Sequence, residues 1–100
     1  MIQGTTPTHI FTIPMDTSEI SKLRITYTQY GHPVIERDET HAVMDGKEIR
    51  VTLTQEETLK LDTKTEVRLQ IKILTASGAL LASRVTALPV GEILNKEILS

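Results

Sequence analysis

From Lys47 to Leu74 the chain reads KEIRVTLTQEETLKLDTKTEVRLQIKIL, and its apolar residues keep a period of two on either side of one interruption. Ile49, Val51 and Leu53 precede the interruption, and Val67, Leu69, Ile71 and Ile73 follow it. Successive side chains of an extended strand point to opposite faces, so this alternation predicts two strands, each buried on one side and wet on the other. Inside the interruption Thr54 precedes Glu57 by three residues. At that spacing a hydroxyl and a carboxylate each accept a hydrogen bond from the other residue's backbone N–H where a helical turn begins, so Thr54 and Glu57 are expected to form a structural cap. Leu59 and Leu61 then return the chain to the core.

The same period recurs along the chain. His9 to Met15 sets Phe11 and Ile13 against Ile10 and Thr12, and Lys22 to Tyr30 sets Leu23, Ile25 and Tyr27 against Arg24, Thr26 and Thr28. Gly31 and Pro33 break the second of these and predict a reversal into a strand over Val34 to Arg37. Asp45-Gly46 lies between His41 to Met44 and Glu48 to Leu53, which predicts a hairpin turning on that dipeptide. Gly78 suits another reversal. Leu80 to Leu88 then carries apolar residues on both faces, and Pro89 ends it. About seven short strands with frequent turn signals predict an all-β fold, an immunoglobulin-like antiparallel β-sandwich, with a small closed barrel as the other arrangement the alternation allows. Residues 1–100 read as one domain, with an N-terminal arm over 1–7 that packs little by itself. The tail over 90–100 spaces Ile93, Leu94, Ile98 and Leu99 as in a short C-terminal helix.

Composition narrows the function classes. The net charge is -2, only 3% of residues are aromatic, and there is no Cys. A nucleic-acid surface needs a basic patch with stacking rings, so no nucleic acid is expected as a partner. Thiolate metal sites and disulfides are excluded. No apolar run approaches the ~20 residues of a membrane span, and the start lacks the features of a signal peptide, so the expectation is no membrane and synthesis in the cytoplasm.

Candidate chemistry is thin. His9, His32 and His41 show no close ligand spacing and read as surface residues, so no metal and no cofactor are expected. The pair Glu56 and Glu57, with Asp62 nearby, resembles a general acid and base, yet Glu57 already has the capping role. No phosphate loop, serine elbow or Cys nucleophile is present, and the chain is expected to be no enzyme. Arg24, Arg50, Arg68 and Lys72 fall on outward strand positions and read as a solvated face paired with Glu48, Glu66 or Gln70. The apolar end of the chain is different. A strand apolar on both faces at a sheet edge needs a cover, either the tail or a second subunit, which makes Leu80, Leu88, Ile93, Leu94, Ile98 and Leu99 the candidate interface residues.

Three segments, MIQGTTPTHIFTIPMDTSEI, VTLTQEETLKL and VRLQIKILTASGALLAS, together resemble a group of small proteins encoded in phages and prophages of Firmicutes and related gut bacteria. The alternating strand, T-x-x-E-T and second strand ending at a Gly turn are also similar to the immunoglobulin-like N-terminal domain of phage baseplate upper proteins. The resemblance implies a virion structural or assembly role in tail, neck or baseplate. It also implies localisation first to the host cytoplasm and then to the virion, with other virion proteins or further copies of the chain as partners in a homo-oligomer. It names no catalytic or binding residue. The alternative is a free-standing adhesion or ligand-binding module using end loops such as Gly31 to Pro33 or Thr75 to Gly78.

Overall fold

The alternating segments form antiparallel strands in a computed structural model that describes residues 1–83, 85–94 and 98. Strands β1 (Thr8–Thr12), β4 (Val43–Asp45) and β5 (Glu48–Thr52) make one sheet, in the order β1-β5-β4. Strands β2 (Ile20–Gln29), β3 (His32–Asp38), β6 (Val67–Thr75) and β7 (Leu80–Ala82) make the other, in the order β3-β2-β6-β7, with β8 (Thr86–Leu88) also on β6. The fold is an all-β sandwich of two facing sheets, so the barrel is set aside.

The core follows from the period of two. Ile49, Val51 and Leu53 from one sheet meet Leu23, Ile25, Tyr27, Ile35 and the four alternate residues Val67 to Ile73 from the other, and all are buried. Their neighbours in sequence face outward, which is why Arg24 stands directly across from Lys72 and Thr26 from Gln70 on the outer face. Between the sheets the chain crosses through α1 (Gln55–Leu59), a single turn. Thr54 Oγ1 accepts from Glu57 N at 3.1 Å, and Glu57 Oε1 accepts from Thr54 N at 2.9 Å.

Two turns differ in detail from the sequence reading. The β4–β5 hairpin pairs Asp45 with Glu48, so its central residues are Gly46 and Lys47, one position later than expected. Gly46 has φ of 59° while Lys47 does not share a positive φ, the pattern in which glycine is wanted first in a two-residue loop. The β2–β3 hairpin turns on Tyr30 and Gly31, both at positive φ, and strand pairing resumes at His32. Pro33 is tolerated inside β3 because β3 is an edge strand and needs no second ladder.

The arm over residues 1–7 packs closely, contrary to the sequence reading. Gln3 is buried and donates from Nε2 to Leu61 O at 2.6 Å, Gly91 N donates to Met1 O, and Thr58 Oγ1 donates to Thr5 O. Alternation carries no signal for these contacts, because the arm is held by polar groups reaching backbone atoms. Beyond β8, residues 91–94 form a bridge and a bend with no helical turn. Most of the helix expected at 93–99 lies outside the described residues.

Candidate protein interaction surface

Laid on the immunoglobulin plan, in which a B-E-D sheet faces a C′-C-F-G sheet, β1 to β6 occupy B, C, C′, D, E and F in chain order, and β7 with β8 occupies G. The plan's first strand, A, which would close the side between B and G, is reduced to one parallel bridge between Ile2 and Gly91. The consequence is an open side. Among the described residues β1 pairs along it only with β5, and β7 and β8 only with β6, so each sheet ends there in an edge that no described strand covers.

A groove of about 550 Å³ runs between those edges. Its floor is Leu69, Ile71 and Ile73 of β6, and its walls are residues 10–15 on one side and 81–83 with Thr86 on the other. Consecutive residues form the walls, as they must where a strand presents its edge and not one face. None of the lining residues among those described is charged. Ile10, on the wall, stands exposed. Natural edge strands are commonly blunted with charges, prolines or twist, and β7 has neither charge nor proline across Leu80–Ala82.

The hydrogen-bond pattern shows which backbone groups of β7 point away from β6. Thr75 N donates to Ala79 O at 2.9 Å and Ser83 N donates to Ile71 O at 2.8 Å, so the odd-numbered residues 79, 81 and 83 turn their backbone toward β6. In an antiparallel ladder the alternate residues turn theirs the other way. The N–H and C=O groups of Leu80 and Ala82 therefore face outward from the sheet. After Ala82 the register with β6 shifts by one residue, since Lys72 stands across from Ala82 but Leu69 from Thr86. At this bulge Ser83 Oγ accepts from Ile71 N at 2.9 Å in place of a backbone carbonyl.

The six candidate interface residues do not form one patch. Leu80 is 61% exposed on the outer face of β7, beside the groove. Leu88 is half-buried against the core and belongs to the fold. Ile93 is half-buried, its side chain lying with that of Leu59 over Gly4. Leu94 is 100% exposed, and Ile98 is partly exposed beside residues 52–56 at the α1 end. Leu99 lies outside the described residues. Among those described, the tail runs past the N-terminal arm toward α1 and leaves β7 uncovered. Of the exposed apolar residues outside those six, Ile10 and Leu81 line the groove, whereas Ile2, Tyr30, Val43 and Val85 are not among its lining residues. Ile10 carried a usable signal, an apolar residue at an outward position of β1.

A polar cluster also joins the sheets at the other flank. Tyr27 is completely buried, and its hydroxyl shares a hydrogen bond with His9 Nδ1 at 2.6 Å across the sandwich. Burial pushes the Tyr27 hydroxyl well above its ordinary range, with opposing effects from Arg37, which lowers it, and Glu57, which raises it. Arg37 donates to Glu57 and to Thr52 O. Burial pushes the Glu57 carboxyl up, but hydrogen bonds from Thr54 and the Arg37 guanidinium outweigh this and hold it below its usual value. His9 thus departs from the surface reading. His41 pairs with Asp38 at 2.9 Å, and His32 sits exposed at the start of β3. Among the described residues no group of three or more metal-ligating side chains converges. Of the outward cations, Arg24 pairs with Glu36 at 3.1 Å and Arg50 with Glu48 at 3.0 Å. Arg50 lies on the opposite sheet from the other three, so the four make no single stripe. Among the described residues no helix is long and apolar enough to cross a membrane.

Desolvation, followed by the positive chain terminus, lowers the His9 pKa below 6.5. The unfolded chain then binds the proton more readily than the folded one, so the His9 contribution to stability is complete above pH 6.5 and is lost as pH falls through the lower folded value. Urea midpoints measured from pH 7.5 down to 5 should fall, and a His9→Gln variant should show a shallower fall over the same window. An unchanged slope would remove His9 from the account.

Fold and site together define an antiparallel sandwich of immunoglobulin strand order with one unclosed side. No protein-family model, curated protein or solved structure gives a significant match to this chain.

Proposed function

We propose that this chain is a non-enzymatic structural or assembly protein of a phage or prophage particle, acting through protein–protein contacts in the tail, neck or baseplate. The observation that carries the reading is the side that no described strand closes, where two sheet edges flank a groove whose described lining is uncharged and whose floor is core. Strand addition suits such a side: the partner's backbone satisfies the outward N–H and C=O groups of the edge, and its apolar side chains enter the groove. The partner class is a protein presenting an uncharged extended strand. The resemblance of the three sequence segments to phage and prophage proteins supplies the setting.

The test is incorporation. In a lysogen carrying this gene, particles purified by density gradient should contain the chain at a fixed ratio to the other structural proteins. Ile10→Lys, placed on an exposed groove-wall residue, should lower that ratio while the purified variant keeps its wild-type circular dichroism. Particles that form normally and lack the chain would remove the proposal.

A further inference from the structure

Resting on the proposal that this side receives a protein strand, we infer that its occupant is the same edge of a second copy, β7 lying antiparallel to β7 about a twofold axis at Leu81. The first support is charge. Among the described residues the groove carries no charged side chain, and the sequence from Ala76 to Ser83 carries none either. Two copies of this edge meet without burying an unpaired charge, whereas a strand of ordinary surface composition would bring one into the groove at a desolvation cost.

The second support is register. Leu80 and Ala82 offer the outward backbone groups, so in a twofold pair Leu80 of each copy faces Ala82 of the other and both N–H and C=O groups are used at each position. Leu81 then faces itself in a pair without backbone hydrogen bonds, the class in which side chains approach most closely. Leu81 lines the groove and is 40% exposed, so the two Leu81 side chains would cover each other over the β6 residues that floor it. Leu80, on the outer face, would cap the opposite side of the joint. The contact is self-complementary, as a closed dimer requires. It also disposes of an edge that would otherwise invite indiscriminate pairing.

The absence of cysteine makes the geometry directly testable. Directly opposed residues of this class have Cα atoms about 4.5 Å apart, within the range a disulfide spans. Wild-type protein should sediment at twice 11.2 kDa, dissociating only on dilution. Under mild oxidation Leu81→Cys should link to itself nearly completely, and Leu80→Cys, on the other face and opposite Ala82, should link at least tenfold more slowly. Leu81→Lys should run at the single-chain mass with unchanged circular dichroism. A wild type that stays single at every concentration, a dimer that survives Leu81→Lys, or equal linking of the two cysteine variants would each overturn the inference. A monomer that nonetheless enters particles at a fixed ratio would refute the second copy alone and leave the assembly proposal standing.

Discussion

In the single-chain Leu81→Lys background, Ile25→Ala is expected to destabilise the domain by about 4 kcal/mol, and Ile71→Ala, directly across the ladder from it, by only about 2 kcal/mol. The two side chains are chemically identical and share one face of one sheet. Ile25 is 0% exposed at the middle of β2, enclosed by β3 and β6 in its own sheet and by the facing sheet. Removing its side chain leaves a closed void whose lining loses contacts it cannot replace, so the cavity cost adds to the lost transfer energy. Ile71 is also nearly buried, at 5%, but it floors the groove, and truncating it deepens a space that is already open. Most of its cost is then the transfer term. Urea melts with an unchanged m value would give both numbers. Equal losses in that background would mean that the side is closed without a second copy, and in the wild type the Ile71 loss should be larger than in the Leu81→Lys background, because the second copy covers the floor.

Glu57→Ala is expected to cost about 3 kcal/mol, against about 1 kcal/mol for Thr54→Ala. Thr54→Ala removes one half of a capping box. Glu57→Ala removes the other half and also leaves the Arg37 guanidinium, itself mostly buried, with Thr52 O alone. A guanidinium stranded inside protein is costly, although the pair keeps some contact with water, so the effect stays at the lower end of that for a fully buried pair. Glu57→Gln separates the two roles. Its amide can still accept from Thr54 N while the ion pair is lost, and it should fall between the other two. If Glu57→Ala costs no more than Thr54→Ala, Arg37 contributes nothing through this contact.

Arg37 marks where sequence reading reached its limit. It alternates with Glu36 and shares a face with Ile35, so a charge on the inward side of β3 was visible in the pattern and asked for a partner. That the partner is Glu57, on the crossover between sheets, follows only from the packing of α1 against that flank. Tyr27 and His9 are a similar case. Tyr27 was legible as a core residue, but the group receiving its hydroxyl lies in the facing sheet, and no spacing along one strand encodes a distance across two.

The sequence by itself determined most of the strands, their inward faces and the cap at Thr54 and Glu57, because each depends on residues within one or two turns of chain, but the single strand read over Leu80 to Leu88 is two, β7 and β8. The period of two assigns a face locally, and a hydroxyl three residues before a carboxylate assigns a helix start. Only the tertiary structure decided which strands are neighbours, that the N-terminal arm is stitched to residues 58, 61 and 91, and that no strand among the described residues closes the side between β1 and β7. These depend on contacts between segments far apart in the chain. The apolar pattern of Leu80 to Leu88 fits a buried strand and an uncovered edge equally well, and the missing neighbour distinguishes them.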